Sequence, residues 1–476
     1  MVWMVLSDMA GSRVGFPYTS LPRIEDSQLR ANLRSATTAI REKRGRVVAE
    51  KDDWEELRLK GEQIRAEVLN NLDSYLVKLE ASVENVGGVV HWAGDAGEAN
   101  EIVLSLVRQH GESEVVKVKS LTTDEMGLNE YLSQGGVMAY ETDLAELIVQ
   151  LAHDKPSHIL VPAIHMNRSE IRDLFQGTIS KGTALSDDPT VLAEASRLYL
   201  RQKFLSAKIA ISGVNFAVAE TGTICVVESE GNGRMCLTLP KVLISVMGIE
   251  KIIPTLDDLA VFLELLPRSS TGERMNPYTS LWSGVHKGDG PEEFHLVIMD
   301  NRRSAVLADP VGRQTLQCIR CSACLNVCPV YERSGGHAYD SVYPGPIGAI
   351  LSPQLFGTES SKSLPWASTL CGACYEVCPV RINIPQVLVH LREKVLTEGH
   401  RSSSERFQFA ILSAVLSSGS RFDLALRTIS RLRFLINRFL AFGSLPGVAG
   451  KWTVARELPE IPKESFRVWW RRSRGQ

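Results

Sequence analysis

Seven of the nine cysteines in this 476-residue chain lie between positions 318 and 378, in two stretches reading CIRCSACLNVCP (318–329) and CGACYEVCP (371–379). Clustered thiols in a reducing compartment act as metal ligands rather than as disulfides. A Cys-x2-Cys-x2-Cys run wraps a short loop so that three sulfurs reach three irons of one cubane cluster. A further cysteine, three residues on, points away and ligates a second cluster. The proline after it prevents the loop from simply continuing. Structural zinc, the plainer alternative, takes two CxxC pairs and four ligands. It explains neither seven cysteines nor two trailing CP dipeptides, so this segment is expected to fold around iron–sulfur clusters.

The spacing assigns Cys318, Cys321 and Cys324 to the first cluster, with Cys378 from the second motif as fourth ligand. Cys328 crosses over to join Cys371 and Cys374 at the second cluster. That second set is one thiol short, and Ser368 stands where a matching motif would place it. Three readings remain open: a [3Fe–4S] cluster, a [4Fe–4S] cluster completed by Ser368 or another oxygen or nitrogen ligand, or an iron open to water or substrate. The small and apolar Ala323, Val327, Gly372, Ala373 and Val377 between the ligands let backbone N–H groups approach sulfide and exclude water. The remaining two, Cys225 and Cys236, sit in strand-like TICVVES and in RMCLTLP and read as buried small hydrophobes.

The length implies two or three domains. No apolar run approaches the roughly 18 residues of a membrane span. The start, MVWMVLSDMAG, lacks a basic n-region and a full h-region, so a cytoplasmic protein is expected. Residues 26–46 and the run Trp54, Leu57, Ile64, Val68, Leu72, Leu76, Leu79 have helical spacing. GGVVHWAGD reads as a buried parallel strand, EVVKVKS and SHILVPAI as strands, and GEANEIVLSLVRQH and DEMGLNEYLSQ as helices. ELIVQLA is ambiguous. TVLAEASRLYLRQKFLSAKIAI reads as a helix, and NFAVAETGTICVVES, LPKVLISVMG and KIIPTLD as strand-like. This alternation argues for an α/β domain with a mainly parallel sheet. Between the cysteine motifs, the Gly-, Pro- and Ser-rich residues 331–368 read as loop and turn. PQVLVHLREKVLTEG is helical, with Gly399 as its C-cap. From 401 to 476 there are 14 Lys and Arg against 5 Asp and Glu, leaving 39 basic and 50 acidic residues elsewhere. A basic amphipathic tail ending in Trp469 and Trp470 suits docking to an acidic partner or, less directly, an anionic membrane surface.

At AVAETGTICVVESEGNGR, CIRCSACLNVCPVY, YPGPIGAILSP, LPWASTLCGACYEVCPV and KESFRVWW the chain resembles the lactate utilization protein B family, over nearly its whole length. The resemblance implies an α/β fold: a mainly parallel-sheet lactate-utilization (LUD) domain of the sugar-isomerase and CoA-transferase type. An α-helical ferredoxin-type domain with two [4Fe–4S] clusters and a basic helical C-terminal region would follow. The implied division is a helical arm (1–50), the LUD domain (51–300), the ferredoxin-type domain (301–398) and the C-terminal region (399–476). Carried over residue by residue, Cys318, Cys321, Cys324 and Cys378 would hold one cluster and Cys328, Cys371 and Cys374 the other, as the spacing suggests. The implied function is the iron–sulfur electron-transfer subunit of bacterial L-lactate oxidation to pyruvate. Its partners would be a second iron–sulfur protein and a LUD-domain protein, with no nucleic acid. Similar paired motifs occur in heterodisulfide reductase and anaerobic glycerol-3-phosphate dehydrogenase subunits.

If the α/β domain follows that fold, a ligand belongs at the carboxyl ends of parallel strands. Glu220, in the turn Glu220-Thr221-Gly222-Thr223, is the candidate base or nucleophile; its plain alternative is a glycine turn. His165, Asn167 and Arg168 form a second polar group, although a helix start there needs polar residues anyway. Lys181 and Gly182 form a weaker one. Neither a GxGxxG after a strand nor a GxxxxGK[ST] occurs. Two other functions therefore compete with electron transfer: a hydroxy-acid oxidoreductase in its own right, and an iron–sulfur redox sensor. Hydride removal needs an acceptor for which no fingerprint is present, and a sensor needs only one labile cluster.

Overall fold

In this computed structural model residues 15–398, 403–441 and 461–475 are described. Among them are ten strands: β1 (Val89–Ala93), β2 (Glu114–Lys117), β3 (Met138–Glu141), β4 (Ile209–Gly213), β5 (Phe216–Val218), β6 (Thr223–Glu228), β7 (Val242–Gly248), β8 (Ile252–Ile253), β9 (Tyr278–Trp282) and β10 (Glu293–Met299). Six pair in the order β1-β10-β7-β4-β2-β3, every neighbour parallel. The other four form a smaller sheet, β8-β5-β6-β9, antiparallel except where β5 meets β8.

The central strands are apolar on both sides, as a covered parallel sheet requires. Leu243, Met247, Leu296 and Ile298 face a core shared with Leu72, Leu79 and Val83 of the helix Leu72–Asn85. Val242, Ile244, Val246, Val297 and Met299 face Ala99, Val103, Leu106 and Val107 of the helix Ala96–Gln109. Caps begin these helices where the sequence offers short acceptors: Asp95 accepts from the Glu98 N–H, Asp143 from Ala145 and Glu146, and Thr255 from Asp258.

A further core joins elements far apart in sequence. Leu29 and Leu33 of the helix Ser27–Ala49, Trp54 and Ile64 of the helix Trp54–Asn70, and Phe262 and Leu265 of the helix Leu256–Ser270 pack with the cysteine motifs. One compact unit runs through Val395 and a second from Leu396. The second holds the helices Ser403–Leu416, Gly419–Ala441 and Phe466–Ser473. No single described helix is long and apolar enough to cross a membrane. The N-terminal stretch 1–14 and the expected C-cap Gly399 lie outside the described residues.

Several local expectations are corrected. SHILVPAI is a looped turn, not a strand. Nδ1 of buried His158 accepts from the N–H groups of Leu160 and Val161 (3.0 and 3.1 Å), which holds the chain curled. β1 is parallel but lies at the sheet edge, with Val89 and Trp92 exposed, so it is not buried. The long helix expected from Trp54 breaks at Asn71, and DEMGLNEYLSQ breaks at Gly127, whose φ is +68°. The helix Pro189–Ser206 stops before AKIAI, whose last residues begin β4. The segment between the motifs contains a fully buried helix, Gly345–Leu355. Its apolar GPIGAILSPQL tolerates proline in the first turn, and burial outweighs the composition.

Candidate iron–sulfur centre

The two cysteine motifs fold as one device repeated at an offset of 50 residues. Arg320 and Leu370 take φ of +62° and +56°, and Ser322 and Gly372 take +59° and +87°. Each left-handed pair turns the backbone inward, and a short helix follows, Ala323–Asn326 or Ala373–Glu376. The Arg320 N–H donates to Cys318 Sγ (3.4 Å), and the Leu370 N–H donates to Ser368 Oγ (3.1 Å). Half-buried Ser368 thus stands in the backbone position of Cys318, with oxygen in place of sulfur.

The fold brings all seven cysteines together. Cys321 lies beside Cys378 and Cys318, and Cys324 beside Cys321, Cys318, Cys374 and Cys378. Cys374 lies beside Cys328 and Cys371. Cys371 is exposed, Cys318 half-buried and the other five buried. Burial first, and neighbouring thiols second, push Cys321 and Cys324 up and carry Cys374 to about 12; burial carries Cys378 to about 11. Thiols so placed become thiolates only against a strong positive charge, which iron supplies.

The surroundings also fit a cluster. Ser322 Oγ, Asn326 Nδ2, Arg320 Nη1 and Tyr339 Oη are buried and without a hydrogen-bond partner among the described residues. The first three belong to the first motif, and Tyr339 lies beside Cys328. Inorganic sulfides would accept hydrogen bonds from such donors. Cations collect around the Cys318–Cys378 group. Arg58 donates to the Cys378 carbonyl from Nε and Nη2 (3.0 and 2.8 Å), and Arg44 donates to Val377 O (3.1 Å). Arg65 donates to Ile252 O and Leu316 O (2.9 and 2.8 Å) and to Glu250 O. Lys251 lies near Cys318, its pKa lowered to about 7 by burial and then by Arg320.

Arg320 also pairs with Glu250 (3.4 Å) and lies over the Tyr343 ring. Glu250 in turn accepts from Arg303 Nε (2.6 Å), whose other nitrogens bind Glu125 in a fork (2.8 and 2.8 Å). These cations leave no signal beside the motifs, because Arg44, Arg58 and Arg65 lie 333, 320 and 251 residues before the carbonyls they reach, and Lys251 follows β7. One signal was present: Arg58 and Arg65 are seven apart, on the buried stripe with Ile64 and Val68.

Glu220 is exposed in the hairpin turn between β5 and β6, at the carboxyl end of β5 where it runs parallel to β8, in the small sheet rather than the six-stranded one. Gly222, at φ +69°, passes so close to the Ser82–Val83 backbone that a Cβ would lie 2.7 Å from it. At the carboxyl ends of β2 and β3 the structure instead buries Lys117, 2.6 Å from Glu141 and 3.4 Å from Asp124. Asn167 caps the helix Arg168–Gly177 through a capping box with Glu170, and Arg168 is exposed. His165 Nε2 meets Asp154 (2.9 Å), and its ring packs on His337. Lys181 and Gly182 form an exposed turn. Cys225 and Cys236 are fully buried, and burial raises both to about 12.

Three family models match the chain: "LUD domain" over residues 76–299, "4Fe-4S dicluster domain" over 314–382 and "Lactate utilisation protein B, C-terminal" over 387–475. Relatives named Lactate utilization protein B from an Exiguobacterium species and from Bacillus cytotoxicus are each 42% identical over 453 residues, covering 94% of this chain and 95% of theirs. One from Bacillus thuringiensis is 40% identical over 451 residues, covering 94% of this chain and 95% of its own. A crystal structure of a DUF162 family protein from Deinococcus radiodurans is similar over 48% of this chain and 98% of its own, at 13% identity and a TM-score of 0.27.

Proposed function

The chain belongs to the lactate utilization protein B family, and on that premise we propose that it is the iron–sulfur electron-transfer subunit of a cytoplasmic system oxidising L-lactate to pyruvate. Its role is in lactate utilization alongside other subunits, here a second iron–sulfur protein and a LUD-domain protein. When bound, two cubane clusters supply one-electron carriers side by side. Cys318, Cys321, Cys324 and Cys378 hold the first; Cys328, Cys371 and Cys374 hold the second, with Ser368 at the eighth position.

One observation supports this reading most. The two thiol groups adjoin through Cys324 and Cys374, and exposure rises from buried Cys321 and Cys324 to exposed Cys371. A buried carrier kept dry and cation-lined beside one that reaches the surface suits passage of electrons to or from a docked protein. Lactate oxidation releases two electrons and two protons. With no nicotinamide or flavin fingerprint in this sequence, the first acceptor belongs on a partner.

The test uses anaerobically purified chain with iron and sulfide assayed. Lactate is expected to bleach its visible absorbance only when the partner subunits are added. Oxidation of lactate by this chain alone, with an artificial acceptor, would overturn the relay in favour of a catalytic subunit.

A further inference from the structure

Away from the cysteines, the amino-terminal end of β10 gathers a second set of metal-binding side chains. Glu293 and His295 lie two residues apart, so both project from one face of the strand. That face is covered by the helix Ala96–Gln109, and His110, which follows the helix directly, reaches the same point. His110 Nε2 lies 3.3 Å and His295 Nε2 lies 3.4 Å from Glu293 Oε2. All three ligand atoms fall within 4.8 Å of one another.

These spacings are long for N–H···O hydrogen bonds, which run about 2.7–3.2 Å. They match a metal ion better. Atoms held about 2.0–2.1 Å from a tetrahedral zinc ion stand roughly 3.3–3.4 Å apart. Two imidazoles and a carboxylate are also a donor set that late first-row divalent ions favour.

The far side of the buried ligand is held as well. His91, on edge strand β1, places Nε2 3.1 Å from His295 Nδ1, and the two rings pack at 5.3 Å. A partner on the second ring nitrogen fixes which nitrogen faces the metal. We propose that His110, Glu293 and His295 bind one zinc-class divalent cation, with water at the fourth position and His91 as a positioning residue. Such an ion would tie the end of the helix Ala96–Gln109 to β10. Since His110 is half-buried and Glu293 exposed, the ion exchanges with solvent.

Zinc chloride titrated calorimetrically into anaerobic, cluster-loaded protein tests this, with iron assayed before and after to show the clusters intact. The wild type is expected to bind one zinc and to gain thermal stability from it. H110Q and E293Q alter solvent-reaching side chains and should fold normally, each weakening zinc at least about tenfold. H91Q, which touches no metal, should weaken it about tenfold through loss of ring orientation. No zinc binding by the wild type would overturn the site, as would undiminished affinity in both H110Q and E293Q.

Discussion

Ser368 matches Cys318 in backbone setting down to the hydrogen bond it accepts from the residue two positions on. In S368A that corner loses its side-chain donor. Iron should fall from about eight to about seven per chain, and the oxidised protein should gain the EPR signal of a three-iron cluster. S368C should keep its full iron and hold it longer in air. Unchanged iron and spectra in S368A would remove the serine from the cluster. A second prediction concerns Glu146, buried 3.6 Å from Lys119. Burial pushes its carboxyl from 4.5 up to about 8, against the pull of Lys119. Between those values the folded chain holds a proton that the unfolded chain has lost. Stability from this residue is therefore complete below about pH 4.5 and drains as pH rises through 8. E146Q should flatten that decline, its stability relative to the wild type rising as pH goes from 4.5 toward 8. Denaturant midpoints across that range read it; an equal difference at both ends would refute it.

Among the elements, Arg303 is the knot. It opens the helix Arg303–Leu307 and binds Glu125, the last residue of the helix Leu121–Glu125, and Glu250, just after β7. All three are buried, and Tyr343 Oη donates to Glu125 as well (2.5 Å). R303M leaves Glu125 buried without its cation and Glu250 with Arg320 (3.4 Å) as its remaining ion pair, and should cost about 3–5 kcal/mol of unfolding free energy. A change below about 1 kcal/mol would mean that solvent or rearrangement satisfies them. The parallel strands and most helices were legible because their apolar periods are local. SHILVPAI and Gly345–Leu355 were misread for one shared reason. Their conformations are set by what covers them: His158 reaches Asn326 in the first motif (3.2 Å), and Gly348 packs on the Tyr343 carbonyl.

Over the whole molecule, the described part of the C-terminal unit leaves Phe407, Leu424, Phe434, Phe466, Trp469 and Trp470 exposed among its arginines. A surface both apolar and basic suits a docked partner subunit with acidic groups. A chain lacking residues from 401 on should keep its iron and fail to capture the partner subunits in a pull-down. Capture by the truncated chain would sink the docking role, and binding of only the full chain to anionic vesicles would favour the membrane surface instead. The core through Val395 gives the matching reason that iron should be retained, since Leu29, Leu33, Trp54 and Phe262 pack with the cysteines themselves.

The cysteine spacing by itself determined the metal chemistry, the two ligand groups to expect and the vacant eighth thiol, because loop closure around a cluster is a matter of a few bonds. Apolar alternation likewise determined a parallel α/β sheet. Only the tertiary structure decided what surrounds the thiols. Arg44, Arg58 and Arg65 reach them across hundreds of residues and Lys251 from the end of another strand, and charge that acts through space leaves no period in a sequence. It also decided that Ser368 shares the backbone position of Cys318 and that Glu220 stands on the small sheet rather than the six-stranded one. Both outcomes depend on which segments pack together, and packing is fixed by the whole chain.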